Sequence, residues 1–363
     1  MAGRIPEHVV EQIVRSADVV RLVARYCDLK QRGGRFWACC PFHDEKTASF
    51  SLDADSGLFY CFGCKEGGSI FTFLQKMEGL TFVEALERLA NEAGIDLSKY
   101  RTEGGPDRSQ MSRYRDLNEL AAAFYEKCLQ KAKGGDVARE YLAGRDITPE
   151  SIEKWRLGYA PDGWEHFLKV ALKRGYKPRE IETAGLALPR KNAPGHYDRF
   201  RNRLMFPITD AQGRPIAFGA RALSPDDEPK YLNSPDTPLF NKGRNFFGLH
   251  QARHAIRSTK SAVILEGYTD VIMAHQGGVE QCVAVLGTAL TPDHGRKLSR
   301  LADRVILVFD ADEAGQRSAS RSIEVLLNED LEIRVATLPR GMDPCEYVVE
   351  HGGEAFAKRL EES

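Results

Sequence analysis

The stretch VILVFDADEAG, residues 305–315, decides how the second half of this chain folds. Five apolar residues, Val305 to Phe309, predict a buried strand, and the strand is followed at once by Asp310 and Asp312. Residues two apart in an extended chain point to the same side, so both carboxylates can reach one ion at the end of the strand. A buried strand that ends in carboxylates therefore predicts a ligand-binding sheet edge.

Three further apolar runs share this character and alternate with amphipathic helical segments. They are AVILEG at 262–267, CVAVLG at 282–287 and EIRVATL at 332–338. Short apolar strands separated by helices are typical of a parallel sheet covered on both faces. Ligands of such sheets bind at the carboxyl edge of the strands.

Acidic residues follow these strands as well. Glu266 ends the first strand, Asp270 lies one helical turn later, and Asp343 follows the last strand. Carboxylates gathered at one edge would repel each other unless divalent cations neutralise them. Oxygen ligands favour Mg²⁺ or Mn²⁺. For a single residue such as Asp312 the alternative is a helix cap, but the whole set predicts a metal site.

The N-terminal part has a different spacing, typical of a zinc ribbon. Cys40 and His43 are separated by two residues, as are Cys61 and Cys64, and 17 residues lie between the pairs. Two such turns can place four ligands around one tetrahedral ion, which with no open position would be structural. Cys39 is a rival to Cys40; we prefer Cys40 because its spacing to His43 matches the second pair.

Aromatic and basic residues surround the four predicted zinc ligands. They could stack on the bases and contact the phosphates of a single strand. The alternative is that most of the aromatic residues form the core of the ribbon. The two sets are Phe36, Trp37, Phe50, Phe59, Tyr60 and Phe62, and Lys30, Arg32, Arg35, Lys46 and Lys65.

Composition indicates an ordinary soluble protein. The chain has 363 residues, 42% of them hydrophobic and 28% charged, with no apolar run of membrane-spanning length and no secretory leader, so a cytoplasmic location is the default expectation. The net charge of −1 conceals an asymmetry, because residues 190–260 carry +7 and residues 261–351 carry −7. A basic segment followed by an acidic one suggests a polyanion held beside a metal site, although two differently charged solvated faces would give the same count.

The domain organisation follows from these patterns. The stretch TEGGPDRSQ breaks both helical and strand periodicity and predicts a linker. We expect an α+β and α/β multidomain chain with these parts: a zinc-binding unit at 1–101, a linker at 102–112, a basic mixed α/β part at 113–260, a parallel-sheet part at 261–351, and at 352–363 the start of a further, truncated segment.

These residues carry a resemblance to known families. The acidic set in EGYTD, DAD and MDP is similar to the TOPRIM domain, the metal-binding fold shared by bacterial primases, type IA and II topoisomerases and some nucleases. The segments CCPFHDEKTASF, YCFGC, FRNRLMFPI, FGARAL, KYLNSPDTPLFNKGRNFFGL and LEGYTDVIMAHQGG resemble the bacterial replicative DNA primases. The resemblance runs from about Pro6 to His351. It implies an N-terminal zinc ribbon, a basic mixed α/β subdomain and a TOPRIM parallel-sheet subdomain.

The resemblance also implies roles for individual residues. It assigns one structural Zn²⁺ to Cys40, His43, Cys61 and Cys64, and Mg²⁺ or Mn²⁺ to Glu266, Asp310 and Asp312. Asp270 and Asp343 are implied as neighbouring catalytic acids. The residues implied in nucleic-acid and nucleotide binding are Arg199, Arg201, Arg203, Arg221, Lys230, Asn233, Lys242 and Arg244.

The sequence departs from the family pattern at one acidic position. The family usually has DPD where this chain has Asp343, Pro344 and Cys345. Glu346 is adjacent, but in an extended chain it would point the other way. The metal site is therefore expected to depend on the remaining acids.

The implied function is template-directed synthesis of short RNA primers, a nucleotidyltransferase reaction. The implied partners are a single-stranded DNA template, ribonucleoside triphosphates, the RNA primer and a replicative helicase, contacted through a C-terminal domain absent here; no membrane is implied. Two alternatives are a non-enzymatic recombination adaptor that pairs a zinc finger with a TOPRIM-like fold, and a topoisomerase, which would need a nucleophilic tyrosine. Nothing marks Tyr231 or Tyr268 for that role.

Overall fold

The computed structural model describes residues 6–80, 82–97, 108–224, 227–309, 322–339 and 341–363. Asp310 and Asp312 lie outside these described residues. The chain divides into two compact units, Met1–Arg108 and Ser109–Ser363.

The first unit contains a five-stranded antiparallel sheet with the strands in sequence order. Its strands are Lys30–Arg32 (β1), Arg35–Ala38 (β2), Phe50–Asp53 (β3), Leu58–Cys61 (β4) and Gly67–Ser69 (β5). The helices around it are Glu7–Ser16 (α1), Val19–Val23 (α2), Ile70–Glu78 (α3) and Phe82–Glu92 (α4). The zinc ribbon that the sequence predicted is thus confirmed as the fold of this unit.

Some of the aromatic residues in and around this sheet form a buried core. Phe50, Phe59 and Phe73 are buried and pack around Phe42 at ring distances of 5.4–6.3 Å. The alternative of a structural aromatic core therefore holds for Phe50 and Phe59, two of the six aromatic residues singled out from the sequence.

The second unit begins with helices and an antiparallel sheet. The helices are Arg108–Lys131 (α5), Asp136–Ala143 (α6), Pro149–Lys154 (α7), His166–Lys173 (α8) and Pro178–Thr183 (α9). Strands Ala187–Pro189 (β7) and His196–Asp198 (β8) form a hairpin. The four-stranded antiparallel sheet has the order β11-β10-β9-β6, with strands Gly158–Ala160 (β6), Arg203–Thr209 (β9), Pro215–Ala222 (β10) and Tyr231–Asn233 (β11).

The rest of the second unit is the predicted parallel sheet. Its order is β13-β12-β14-β15, built from Ser261–Leu265 (β12), Cys282–Ala284 (β13), Arg304–Phe309 (β14) and Glu332–Thr337 (β15), and all its pairs are parallel. The helices are Leu249–Thr259 (α10), Tyr268–Gln276 (α11), Pro292–Leu298 (α12), Pro344–His351 (α13) and Gly353–Glu361 (α14), and residues 322–326 are also helical. The four predicted strands are confirmed.

Tyr268 joins the two sheets into one core. Its ring stacks on Phe206 at 4.9 Å and meets the edge of Phe247 at 4.8 Å. A Cβ at Gly219 would lie 2.4 Å from the Tyr268 hydroxyl, so only glycine fits at this position of β10. The start of α11, which carries Asp270 and directly follows Glu266 and Gly267, is therefore fixed against the antiparallel sheet.

The boundary between the units differs from the predicted linker. Helix α5 begins at Arg108, so residues 108–112 are helical, whereas 102–107 lie outside the described residues. The run RSQMSRYRDLNEL contains no Gly or Pro and continues the helix that follows, which the preceding Gly-Gly-Pro obscured. Among the described helices none combines the length and apolarity that a membrane span requires.

Candidate metal centres and nucleic-acid interface

The four predicted zinc ligands converge in the first unit. One donor atom from each of Cys40, His43, Cys61 and Cys64 lies within 4.8 Å of every other. The Cys40 and Cys64 sulfurs are 3.9 Å apart, and the Cys61 sulfur is 3.9 Å from Nδ1 of His43. Ligands about 2.3 Å from a tetrahedral ion are separated by about 3.8 Å, so the donors fit zinc. The Cys39 side chain is exposed, which agrees with the choice of Cys40.

Glu45 organises this site, and sequence reasoning missed it. Its carboxylate accepts hydrogen bonds from the backbone N–H groups of Cys40 (2.7 Å) and Ser49 (3.1 Å) and from the Ser49 hydroxyl (2.6 Å). It also lies 3.4 Å from Nε2 of His43. A carboxylate on the outer nitrogen of a ligating histidine turns the inner nitrogen toward the metal. The signal in the sequence was a glutamate two residues after the first ligand pair.

Hydrogen bonding prepares one thiol for metal binding. Burial raises the pKa of the Cys40 thiol. Burial would also raise the pKa of Cys61, but the hydrogen-bonding groups around its sulfur, among them the Cys64 N–H that donates to it (3.4 Å), outweigh burial and lower that pKa to about 7. At neutral pH a large fraction of Cys61 is therefore ionised to the thiolate, the form that binds zinc.

An aromatic face lies beside the zinc ligands. Trp37 stacks on Phe62 at 5.8 Å, and Tyr60 meets the edge of Phe62 at 5.0 Å. Phe62 is 52% exposed and Tyr60 39%. Lys30 pairs with Trp37 in the β1–β2 register and is exposed, so a cation borders the aromatic face. These residues could stack on unpaired bases.

The acidic edge is only partly within the described residues. Strands β12 and β14 are adjacent and parallel, with Ile264 opposite Leu307, and β14 ends at Phe309. Glu266 follows β12 and is exposed. The carboxyl ends of these two strands therefore meet at one edge, as the sequence predicted, but the positions of Asp310 and Asp312 are not described.

Asp270 and Asp343 reach this region from two helix starts. Asp270 is 8% exposed, and its carboxylate accepts a hydrogen bond from the N–H of Gly267 at 3.0 Å. Asp343 caps α13 by accepting from the N–H of Glu346 at 2.7 Å. The Glu346 carboxylate accepts in return from the Asp343 N–H at 3.2 Å, so Glu346 serves the helix cap.

Arg145 meets the acidic residues from the helical part of the unit. Its guanidinium lies 3.6 Å from the Asp343 carboxylate and 3.9 Å from the sulfur of Cys345, which is buried. Burial raises the pKa of Cys345 to about 11, and the nearby Asp270 and Asp343 carboxylates act in the same direction. Cys345 is thus a neutral thiol beside the two carboxylates. Sequence reasoning missed Arg145, because it lies 198 residues from Asp343.

Two of the predicted nucleic-acid residues, the half-buried Arg221 and the exposed Lys230, lie at the edge of the antiparallel sheet. The Arg221 guanidinium lies 4.0 Å from the centre of the Tyr141 ring, and Lys230 lies 5.9 Å from the ring of Tyr231. Lys230 and Tyr231 are exposed at the edge of the antiparallel sheet. This edge presents two cations and an aromatic ring, a combination suited to phosphates and bases.

Three other members of the predicted nucleic-acid-binding set have structural contacts. Arg203 is buried and donates to the carbonyl of Pro229 (2.7 Å), and Arg199 donates to the carbonyl of Asn233 (2.9 Å). The Asn233 amide accepts from the Tyr268 hydroxyl (2.6 Å) and donates to the Leu286 carbonyl (2.9 Å). These contacts support the sheet edge from within. Their predicted contact with nucleotides stays a prediction.

Lys242 and Arg244 lie on a loop beside α12. Arg244 is exposed and pairs with Asp293 at 2.8 Å. In the part of the chain that the structure describes, the Lys242 ammonium has no hydrogen-bond or ion-pair partner. Lys242 is therefore a cation available to a phosphate.

Trp164 forms an aromatic and cationic cluster that sequence reasoning missed. Its ring is 56% exposed. The guanidinium of Arg201 lies 4.4 Å from the Trp164 ring and 5.1 Å from that of Tyr197, and the two rings meet edge to face at 5.2 Å. Arg190 lies 5.9 Å from both rings. One of the predicted nucleic-acid residues, Arg201, is thus joined to an exposed indole.

Comparison with protein families accounts for each part of the chain. Residues 5–104 match the CHC2 zinc finger, residues 124–253 match the DNA primase catalytic core, N-terminal domain, and residues 263–348 match the Toprim-like family. The zinc ribbon, the mixed part and the parallel sheet described above correspond to these three matches in order.

Whole-chain relatives agree with the family matches. A DNA primase of Halalkalibacterium halodurans is 41% identical over 358 residues, which cover 99% of this chain and 60% of that protein. The crystal structure of the zinc-binding and RNA polymerase domains of Aquifex aeolicus primase is 32% identical, with a TM-score of 0.65 over 98% of this chain and 85% of that one. A structure of the DnaG primase catalytic domain bound to ssDNA is 37% identical, with a TM-score of 0.64 over 70% of this chain and 83% of that one. The chain spans about 60% of the length of the curated relatives it matches.

Proposed function

The chain belongs to the bacterial DNA primase family, and on that premise we propose that it synthesises short RNA primers on a single-stranded DNA template. The observation that carries the proposal is the shared carboxyl edge of β12 and β14, where Glu266 follows one strand and the DAD stretch follows the other. An acidic edge beside exposed cations suits a reaction in which nucleoside triphosphates are the substrates.

We infer that Glu266, Asp310 and Asp312 would hold Mg²⁺ or Mn²⁺. When bound, the cation would polarise the α-phosphate of an incoming nucleotide and neutralise charge as the 3′-hydroxyl attacks and pyrophosphate leaves. The Glu266 carboxylate is exposed directly after a buried strand and is therefore an accessible oxygen ligand for such an ion. Asp270 adds negative charge near it, while Arg145 balances that of Asp343. Positioning and charge neutralisation are sufficient, so the mechanism needs no covalent enzyme intermediate.

The basic and aromatic side chains of the second unit would bind the template, primer and triphosphates. Lys230, Lys242 and Arg244 lie on exposed segments, and each would contact phosphates. Trp164, backed by Arg201, would stack on an unpaired base of the template. The expected binding weakens steeply with salt, because phosphate contacts release counterions.

The first unit would hold one structural Zn²⁺ and present the aromatic face of Trp37, Tyr60 and Phe62 to single-stranded DNA. Its four ligands leave no open coordination position, so this zinc would stabilise the fold and take no part in the chemistry. A cytoplasmic location and a replicative helicase as partner belong to the same proposal and derive from the family alone.

The two alternative functions are less well supported. An adaptor without polymerase activity does not account for the match of residues 124–253 to a primase catalytic core. A topoisomerase needs an accessible tyrosine nucleophile. Tyr268 is 5% exposed and its hydroxyl donates to Asn233, so it is not available for that role. Tyr231 is exposed, but it lies in the segment that matches a primase catalytic core.

The experiment is a primer assay with radiolabelled ribonucleotides on a single-stranded template in the presence of Mg²⁺. We expect short RNA products from the wild type and none from Asp310→Ala, whose fold should be unchanged. Relaxed plasmid without RNA would favour the topoisomerase, and DNA binding without products would favour the adaptor. Undiminished RNA yield from Asp310→Ala would refute the metal assignment.

A further inference from the structure

Helix α12 holds the loop 241–245 through hydrogen bonds to three successive backbone carbonyls of that loop. The donors are three side chains, spaced three residues apart, on one face of α12 and at its N-cap. The three bonds run from the Thr291 hydroxyl to Gly243, from the Lys297 ammonium to Arg244 (2.7 Å) and from Nε2 of His294 to Asn245 (3.0 Å).

His294 is at the centre of this contact. It is fully buried, and its ring lies 4.4 Å from that of Phe246. Its Nδ1 accepts from the N–H of Thr291 at 3.2 Å, so the hydrogen must be on Nε2, which donates to Asn245. Burial lowers the pKa of His294, in agreement with this neutral form. One imidazole therefore joins the start of α12 to the end of the loop.

The opposite side of the loop is also held. The Asp236 carboxylate accepts from the Lys242 N–H (3.0 Å) and from the Asn241 amide (2.9 Å). The loop backbone is thus bonded on both sides, whereas the Lys242 ammonium has no hydrogen-bond or ion-pair partner among the described residues. This arrangement fixes the position of the Lys242 backbone and leaves the Lys242 ammonium available to a phosphate.

We propose that His294 is a positioning residue for the loop 241–245, holding the backbone so that Lys242 is presented to a phosphate of the substrate or nucleic acid. The inference rests on the proposed function, because the position of Lys242 matters only if it contacts a polyanion. His294 itself touches no substrate. Its contribution passes through the Asn245 carbonyl.

Limited trypsin digestion of the full chain tests the positioning without reference to activity. Cleavage between Lys242 and Gly243 requires the loop to open, whereas the bond after Arg174, in an exposed turn, provides an internal standard. His294→Leu removes one hydrogen bond to the loop, and we expect the cleavage ratio to rise about fivefold. His294→Gln keeps a donor near the Nε2 position and should restore most of the protection. An unchanged ratio in His294→Leu would overturn the proposal.

A double-mutant cycle tests the consequence for binding. Lys242→Ala should raise the KM for ribonucleotides or the Kd for an oligonucleotide, and this effect should shrink severalfold in the His294→Leu background, because the ammonium is then no longer held in place. If Lys242→Ala changes the KM or Kd by the same factor in the His294→Leu background as in the wild type, the proposal is contradicted. If His294→Leu does not fold, Thr291→Val, which removes the hydroxyl bond to the Gly243 carbonyl and the cap bond from the His294 N–H, replaces it in both experiments. A wild type that makes no RNA would refute the proposed function, while the digestion would still test the loop.

Discussion

Replacing Trp164 with alanine should weaken binding of single-stranded DNA without unfolding the second unit. The indole is 56% exposed, and the Arg201 guanidinium lies 4.4 Å from its centre, covering one face. Only the other face is open, so one base at most can stack on it. Stacking of a base on an aromatic ring contributes roughly 1–3 kcal/mol to binding. A ring with only one open face should contribute the lower part of this range, about 1–2 kcal/mol, which corresponds to about a 5- to 30-fold change in Kd.

The assay is a titration of wild type, Trp164→Ala and Trp164→Phe with oligo(dT), followed by fluorescence anisotropy of labelled DNA at several salt concentrations. Loss of a stacking contact shifts the affinity but leaves the slope of log Kd against log salt unchanged, whereas Arg201→Ala should reduce that slope by about one. Trp164→Phe should keep most of the affinity. Leu172→Ala, which removes another exposed apolar side chain of the same unit, is the matched control and should bind as wild type. Wild-type affinity in Trp164→Ala would refute the reasoning.

Three further predictions concern the metal sites and the core. Glu45→Gln should raise the Kd for zinc by about 10- to 100-fold in a chelator competition, because the carboxylate orients His43, whereas Glu66→Gln at an exposed ion pair should leave it unchanged. Glu266→Gln should abolish Mg²⁺-dependent synthesis with an unaltered melting temperature; RNA yield at the wild-type level would exclude it as a ligand. Burial lowers the pKa of His275 to about 4, so its contribution to stability is complete above about pH 6.5 and is lost as the pH falls toward 4, up to about 3 kcal/mol. Urea unfolding at pH 7 and 4.5 should show a smaller loss for His275→Gln than for wild type.

Much of the fold follows from local sequence patterns. The four strands of the parallel sheet are short apolar runs, and the two Cys/His pairs of the ribbon have a spacing that tetrahedral geometry imposes. Such features depend on neighbours in sequence, so they can be predicted without the structure. The start of α5 was less predictable, because the Gly and Pro residues before it suggested a longer linker.

The residues that sequence reasoning missed act through long-range contacts. Arg145 reaches Asp343 from a separate helical segment. Trp164 meets Arg201 although helices α8 and α9 and the β7–β8 hairpin lie between them in the chain. Glu45 was close in sequence to His43, but its role depends on the fold that turns the two side chains together. Conversely, Arg203 has the residue type of a phosphate contact, yet the fold buries it against the Pro229 carbonyl. Charge and residue type alone do not reveal which arginines face outward.

The contact between Tyr268 and Gly219 constrains how this chain can evolve. The hydroxyl occupies the space that any larger residue at 219 would need, and the same tyrosine lies between Glu266 and Asp270. A substitution in β10 would therefore displace the acidic turn, although the two segments are about fifty residues apart. Variation at these two positions should be correlated among natural relatives, with a smaller ring at 268 wherever 219 has gained a side chain.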